Sequence, residues 1–333
     1  MDISRHRLSF VGRRIAACKA VLGALLGLAM TVPVSAETYP SRPITIVVPS
    51  SAGAPSDLVG RHIGKSIAAQ TNNPVVTENK PGANGIIGVQ QVLRAPADGY
   101  TLLLTTSSPM ALNKYLFKSL PYDPQKDFIP IGVLARSTQL VAVNSNTPFK
   151  TVAELVSYAK REPNKLNFGY GTTVPQLAGS MFQQYTGSRF TFVPYKSHSA
   201  MISALVSGEV DLSITDTASL AAYVKSGQVR VLATTGPNRL KGFPDVPTLR
   251  ELGIGYELVA WHGLFVRAGT PPDVVARLTK LLEEANRSPE FVNYQNSSGL
   301  ESFLITGDAA VKYVDEDVKR WAKITRDAGV VPN

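Results

Sequence analysis

The sequence contains one cysteine, few histidines and no long apolar run. Cys18 is its only cysteine, so residues after position 18 can form neither a disulfide nor a cysteine thiolate for catalysis or metal binding. No apolar stretch approaches the roughly 20 residues that a transmembrane helix requires. Dense basic runs interleaved with aromatic residues are also missing, which argues against nucleic-acid binding.

The N-terminal segment has the pattern of an export signal. Several arginines precede an apolar run at residues 20–30, and residues 34–36 have the small-x-small pattern of a cleavage site. An uncleaved N-terminal anchor is the alternative, but Pro33 interrupts the position where a longer helix would continue. We therefore expect residues 1–36 to be a cleaved signal peptide and the remaining chain to be periplasmic.

Much of the positive charge lies in this N-terminal segment. The full chain has a formal charge of +9, whereas residues 37–333, with 29 basic and 24 acidic side chains, have a charge of +5. This remaining excess is spread along the chain. Charge alone therefore gives little reason to expect an anionic ligand.

Short apolar strands alternate with amphipathic helices through the rest of the sequence. This order is typical of an α/β fold with mostly parallel strands. Two similar series of strands and helices occur in succession, so we expect two lobes. Lobe 1 would comprise residues 37–140 and 260–333, and lobe 2 would comprise residues 141–259.

The chain would cross between the lobes twice, near residues 136–145 and 250–262. Two crossings would form a hinge and would place the carboxyl ends of the strands of both lobes across a cleft. Open α/β sheets generally bind ligands at such strand ends. The loops that follow the strands are therefore the candidate binding elements.

Small polar loops follow strands in lobe 1. The loop at residues 50–57 precedes a helix, and free N–H groups at a helix N-terminus can bind an anion without a basic side chain. Each loop could instead be an ordinary turn or helix cap. The candidate ligand-binding residues of lobe 1 are Ser50, Ser51, Gly53, Ala54, Pro55, Asn84, Thr106 and Ser107.

Similar loops follow strands in lobe 2. Their hydroxyl groups can donate hydrogen bonds to a carboxylate or to a bridging water. The candidate ligand-binding residues of lobe 2 are Gly171, Thr172, Thr173, Ser197, His198, Asp216 and Thr217.

Residue patterns for catalysis and metal binding are missing from the sequence. His62, His198 and His262 show no i, i+4 spacing with a second metal ligand. No Gly-x-Ser-x-Gly segment provides a hydrolase nucleophile. We therefore expect a binding protein with no catalytic activity, no metal and no cofactor, and only His198 of the three histidines is expected to contact a ligand.

Eight short segments occur in an order that resembles a known family. They are residues 39–44, 48–49, 78–83, 97–102, 121–124, 193–196, 244–248 and 268–271. Together they resemble the extracytoplasmic solute receptors of tripartite tricarboxylate transporters, the Bordetella uptake gene family. The resemblance implies a type II periplasmic-binding-protein fold that closes on a small organic carboxylate and is recognised by a membrane permease of that transporter type.

The sequence departs from the usual family pattern at several positions. Ser50 replaces an aromatic residue, Ala54 a glycine, Gln176 a histidine and Ser180 a glutamate. Loss of an aromatic ring and an acid would leave a larger and less negative pocket. We therefore expect a di- or tricarboxylate ligand, with an aromatic dicarboxylate such as terephthalate as one hypothesis.

Two other functional classes stay open at this point. A periplasmic sensor subunit that presents its ligand to a membrane kinase would use the same cleft. An exported α/β enzyme is the second alternative, and it would change its ligand chemically. We expect the receptor to be a monomer.

Overall fold

The fold was obtained as a computed structural model, which describes residues 39–332; the expected signal peptide lies outside the described residues. The strands are β1 (Ile44–Val48), β2 (Val75–Asn79), β3 (Thr101–Thr106), β4 (Phe128–Asn144), β5 (Asn167–Tyr170), β6 (Thr191–Pro194), β7 (Leu212–Asp216), β8 (Val229–Thr234), β9 (Val259–Arg267) and β10 (Glu301–Thr306). The helices are α1 (Pro55–Thr71), α2 (Ile86–Arg94), α3 (Asn113–Leu116), α4 (Pro124–Asp127), α5 (Val152–Arg161), α6 (Thr173–Thr186), α7 (His198–Ser207), α8 (Thr217–Lys225), α9 (Pro272–Asn286), α10 (Pro289–Ser298) and α11 (Gly307–Asp327). None of these helices is long and apolar enough to span a membrane.

The strands form a mixed sheet in the order β2-β1-β3-β9-β4-β7-β5-β6, with β8 and β10 also paired to β4. Strand β1 is parallel to β2 and β3, and β5 is parallel to β6 and β7. Each parallel pair is joined through a helix, as alternating strands and helices predict. The expectation of mostly parallel strands was wrong, because five pairs are antiparallel: β4 with β7, β8, β9 and β10, and β3 with β9. These pairs join segments far apart in the chain, which local sequence patterns do not reveal.

Strand β4 takes part in two regions of the sheet. Its residues 128–138 pair with β9, whereas its residues 139–143 pair with β7. Nearly all of its side chains are buried, so both of its faces are covered. The partner strand therefore changes within β4 after Thr138, inside the segment expected to form part of the hinge.

The helices cover the sheet with apolar faces and form separate clusters of buried side chains. One cluster joins β1 and β3 to α1 and α9, and another joins β5 to α5 and α6. Helix α11 contributes to two clusters. Its Val314 packs with β9, whereas its Val318, Trp321 and Ile324 pack in the cluster of α5 and α6.

A buried carboxylate ties α11 to β9. Asp317 Oδ2 accepts hydrogen bonds from the indole N–H groups of Trp261 (2.8 Å) and Trp321 (3.1 Å). Arg320 donates to Oδ1 at 3.1 Å. The sequence contains two tryptophans, and both therefore bond to the same carboxylate.

Candidate ligand-binding site

A cavity of about 390 Å³ lies beyond the ends of β1 and β3, where α1, α2 and α6 begin. Its lining residues are Pro49, Ser50, Ser51, Ser56, Pro81, Gly82, Asn84, Gly85, Thr105, Thr106, Ser108, Pro109, Leu112, Asn113, Leu116, Thr172, Thr173 and Val174. None of these side chains is ionisable. An anion in this cavity would therefore be bound by N–H and hydroxyl groups.

Asp57, in the first turn of α1, holds the loop between β1 and α1 through hydrogen bonds. This carboxylate is almost completely buried and accepts hydrogen bonds from Gly53 N (2.8 Å), Arg61 Nε (3.0 Å) and Asn79 Nδ2 (3.0 Å). Asn79 Nδ2 also donates to Ser50 O at 3.1 Å. Asp57 thus holds Gly53 directly and Ser50 through Asn79.

These contacts also set the ionisation of Asp57. Burial raises the pKa of its carboxyl, but the hydrogen bonds from Arg61, Gly53 and Asn79 outweigh burial and hold the pKa below its usual value. Asp57 is therefore a carboxylate at neutral pH. Its two oxygen atoms accept hydrogen bonds from Gly53, Arg61 and Asn79, so the charge serves to hold the loop and not to line the cavity.

The loop between β2 and α2 has an unusual backbone. Four consecutive residues have positive φ: Gly82 (127°), Ala83 (47°), Asn84 (51°) and Gly85 (88°). Positive φ is uncommon for residues other than glycine, and such strain is often found at binding sites. Gly85 is also in close contact with the cavity wall, since a Cβ atom there would lie 2.8 Å from Pro109 Cγ.

Helix N-termini at the cavity have no capping side chain. Helix α1 follows Ala54, α2 follows Gly85, and α6 follows Thr172, whose hydroxyl makes no capping hydrogen bond. By contrast, Thr151, Ser197, Asp216 and Ser288 cap α5, α7, α8 and α10 through their side chains. Helices α9 and α11 also lack a side-chain cap. The first-turn N–H groups of α1, α2 and α6 are therefore not covered by a capping side chain.

A polar cluster lies in the second half of the chain around His198. Its Nε2 lies 2.9 Å from Ser219 Oγ and 3.0 Å from Asp216 Oδ2. Burial raises the pKa of Asp216, but hydrogen bonding and the charge of His198, together with bonds from Ser219, hold it below the usual range. In a hydrolase triad the aspartate binds the other ring nitrogen of the histidine. These three residues therefore do not have triad geometry.

The structure brings six of the expected binding residues to the cavity: Ser50, Ser51, Asn84, Thr106, Thr172 and Thr173. The other expected residues, which do not line it, are Gly53, Ala54, Pro55, Ser107, Gly171, Ser197, His198, Asp216 and Thr217. Gly53 and Asp216 are engaged in the hydrogen bonds described above. Gly171 packs against the start of α7, where a Cβ atom would lie 2.5 Å from Ser197 O.

Several lining residues were missed by the sequence analysis. Leu112, Asn113 and Leu116 follow β3 by several residues and approach the cavity through a π-helical turn at Ser108–Leu112. The available signal in the sequence was an asparagine directly after the apolar residues 110–112, and the structure buries it completely. Ser180, by contrast, lines a different surface depression with Gln183 and Arg189. Its identity therefore does not bear on this cavity.

The chain is similar to curated proteins over nearly its whole length. The family model described as "Tripartite tricarboxylate transporter family receptor" matches residues 59–330. Protein BugT of Bordetella pertussis is 31% identical over 316 residues, covering 93% of this chain and 97% of BugT. The chain belongs to this family of solute-binding receptors, as the sequence resemblance indicated.

Solved structures confirm the expected fold. Periplasmic binding protein BugD superimposes with a TM-score of 0.77 at 32% identity, covering 89% of this chain and 100% of BugD. An R. palustris protein solved with adipate superimposes with a TM-score of 0.80 at 30% identity, covering 89% of this chain and 100% of that protein. MatC from Rhodopseudomonas palustris with bound malate superimposes with a TM-score of 0.74 at 28% identity, covering 86% of this chain and 99% of MatC. The fold is the two-lobe α/β fold of periplasmic binding proteins.

Proposed function

We propose that this chain is a periplasmic receptor that captures a di- or tricarboxylate and delivers it to a tripartite tricarboxylate-type permease without changing it chemically. The observation that carries this proposal is the convergence of three helix N-termini without side-chain caps on a cavity lined by no ionisable side chain. Such N–H groups bind carboxylates through hydrogen bonds and the helix dipole. The adipate and malate in the related structures support the same ligand class.

The proposal includes the expected lobe division and hinge, with residues 37–140 and 260–333 in one lobe and 141–259 in the other. The change of partner strand within β4 supports a hinge there. We propose that closure around the ligand moves His198 and its neighbours in lobe 2 toward the cavity. His198→Ala would then weaken ligand binding, although His198 does not line the cavity in this structure.

A binding panel tests the proposed ligand class. Adipate, malate, citrate and terephthalate would be titrated into the purified mature protein by calorimetry and followed by thermal unfolding. A ligand at 100 times its Kd stabilises the folded state by about 2.7 kcal/mol, which is easily detected. Absence of binding by every carboxylate would contradict the proposal, as would conversion of a ligand into a product during prolonged incubation.

Terephthalate is the aromatic member of this panel, and the presence of Ser50 in place of an aromatic residue supports its inclusion. Stabilisation only by aliphatic di- or tricarboxylates would refute the aromatic hypothesis without affecting the broader proposal. Co-purification with a membrane kinase, and not with a permease, would instead identify a sensor subunit. Native mass spectrometry of the purified chain would show the ligand retained from the cell and whether the chain is a monomer.

Two variants separate binding from stability. Thr172→Val removes a hydroxyl that lines the cavity and makes no cap hydrogen bond, so it would weaken binding with little loss of stability. Ser288→Ala is the matched control, because Ser288 caps α10 through Phe291 N at 3.3 Å and does not line the cavity. It would lower the free energy of unfolding by about 1 kcal/mol and leave affinity unchanged. Equal affinities for both variants would contradict a role for the Thr172 hydroxyl in ligand binding.

A further inference from the structure

The lining of the cavity includes an apolar patch formed by one residue of each proposed lobe. Leu116 is the last residue of α3, and Val174 is in the first turn of α6. Both side chains are partly buried, so each keeps a surface that a ligand can contact. Leu112, by contrast, is completely buried and supports the patch from within.

One apolar cluster supports both side chains of the patch. Leu116 and Val174 pack against a cluster that contains Leu112, Leu177 of α6 and Trp321 of α11. Leu112 belongs to lobe 1 and Leu177 belongs to lobe 2 in the proposed division. The two lobes therefore share this cluster, and the patch lies where they meet. Close packing within the cluster holds the two side chains in place.

Hydrogen-bond donors of each lobe lie next to the patch. In lobe 2, Val174 directly follows residues 172–173, which carry hydroxyl groups and line the cavity. In lobe 1, Leu116 is one helical turn after Asn113, whose Nδ2 donates to Asn84 O at 3.0 Å. Asn84 lines the cavity as well. A ligand whose anionic groups bind donors of both lobes must therefore pass the patch.

The patch favours hydrocarbon over hydroxyl in the middle of such a ligand. Leucine and valine side chains offer neither a donor nor an acceptor. A hydroxyl held against them loses its hydrogen bonds to water without a replacement, which costs free energy, whereas burial of a methylene group is favourable. Two anionic ends with plain hydrocarbon between them are the chemistry of an unsubstituted dicarboxylate.

We propose that Leu116 and Val174 make this receptor prefer unsubstituted dicarboxylates over dicarboxylates that carry a hydroxyl between their carboxyl groups. This inference rests on the proposed function, since it assumes that the cavity holds a carboxylate. The donors of the two lobes bind the carboxylate groups, and the patch selects the segment that joins them. Leu116 and Val174 are thus specificity residues of the same site.

Two pairs of ligands test this preference by calorimetry with the purified mature protein. Adipate has two more methylene groups than succinate and should bind about tenfold more tightly, as expected when both groups are buried. Glutarate and 3-hydroxyglutarate differ by one hydroxyl on the central carbon. Glutarate should bind about tenfold more tightly, because the hydroxyl would be buried without a partner.

Variants assign the preference to the patch. Val174→Thr replaces a methyl group with a hydroxyl and should narrow the ratio between glutarate and 3-hydroxyglutarate severalfold. Val311→Thr is the matched control, because Val311 of α11 is 43% exposed and does not line the cavity, so that ratio should not change. Leu116→Ala removes apolar surface and should reduce the advantage of adipate over succinate. If one variant does not fold, the other variant and the ligand pairs in the unmodified protein still decide the question.

Each outcome supports or overturns a defined statement. Equal or tighter binding of 3-hydroxyglutarate overturns the preference, as does equal or tighter binding of succinate, while the proposed function stands. Unchanged ratios in both Val174→Thr and Leu116→Ala overturn the assignment to these two residues. Absence of binding by every carboxylate overturns the proposed function itself.

Discussion

Asp57 should contribute strongly to both stability and ligand affinity, although it does not line the cavity. Asp57→Ala removes the acceptor for Gly53 N, Asn79 Nδ2 and Arg61 Nε. Hydrogen bonds to charged groups stabilise a protein by about 1.5 kcal/mol or more, and we assign about 1.5 kcal/mol to each of the bonds from Gly53 and Asn79. The Arg61 side chain is 52% exposed, so its bond adds less than about 1 kcal/mol. The expected loss of unfolding free energy is about 3 to 4 kcal/mol.

The same variant should weaken carboxylate binding about tenfold, because the loop at residues 50–54 would have to become ordered when the ligand binds. Urea unfolding measures the stability loss, and calorimetry measures the affinity. Asp327→Ala is a matched control, because Asp327 also forms an i, i+4 ion pair, with the 61% exposed Lys323. It should cost much less stability than Asp57→Ala, because its partner is exposed to water, and it should leave affinity unchanged.

The pH dependence provides a second check on Asp57. Its pKa in the folded state is below the usual value, so its stabilisation is fully present above the unfolded-state pKa of about 4 and is lost as pH falls through the folded-state pKa. The difference in stability between the unmodified protein and Asp57→Ala should therefore narrow below about pH 4. The reasoning is refuted if Asp57→Ala and Asp327→Ala lose the same stability at neutral pH.

Three further predictions concern stability. Burial lowers the pKa of His262 to about 4, despite an opposing effect of Asp216. The unfolding free energy should therefore fall by about 3 kcal/mol as pH decreases from about 6.5 to 4. His262→Phe should remove this pH dependence, and an unchanged pH profile in that variant would contradict the prediction. Gly85→Ala should lower the free energy of unfolding in urea more than Gly227→Ala does. Both glycines have positive φ, but of the two only Gly85 has no space for a Cβ atom. Equal losses in the two variants would count against this prediction. Asp317→Ala should cost about 3 kcal/mol and change tryptophan emission, because both indole N–H groups lose their acceptor; unaltered emission would argue against it.

The fold was predictable from the sequence to the extent that it depends on local patterns. The unbroken apolar run of β1 and the amphipathic helices that follow it specify βαβ units, and the observed parallel pairs confirm them. The antiparallel β4 and β9 pairing was not predictable, because it depends on packing between segments more than 100 residues apart. The dual role of α11 in two apolar clusters has the same origin.

For the candidate site, the sequence identified loops and the tertiary structure selected residues within them. Glycine and proline at the start of a helix are local signals, so Ser50, Ser51 and Asn84 could be placed near strand ends from the sequence alone. The sequence could not show that Asp57 is directed away from the cavity, that His198 pairs with Asp216, or that Asn113 reaches the cavity wall. Side-chain direction and hydrogen-bond partners depend on contacts between distant segments, and only the folded chain decides which loops meet.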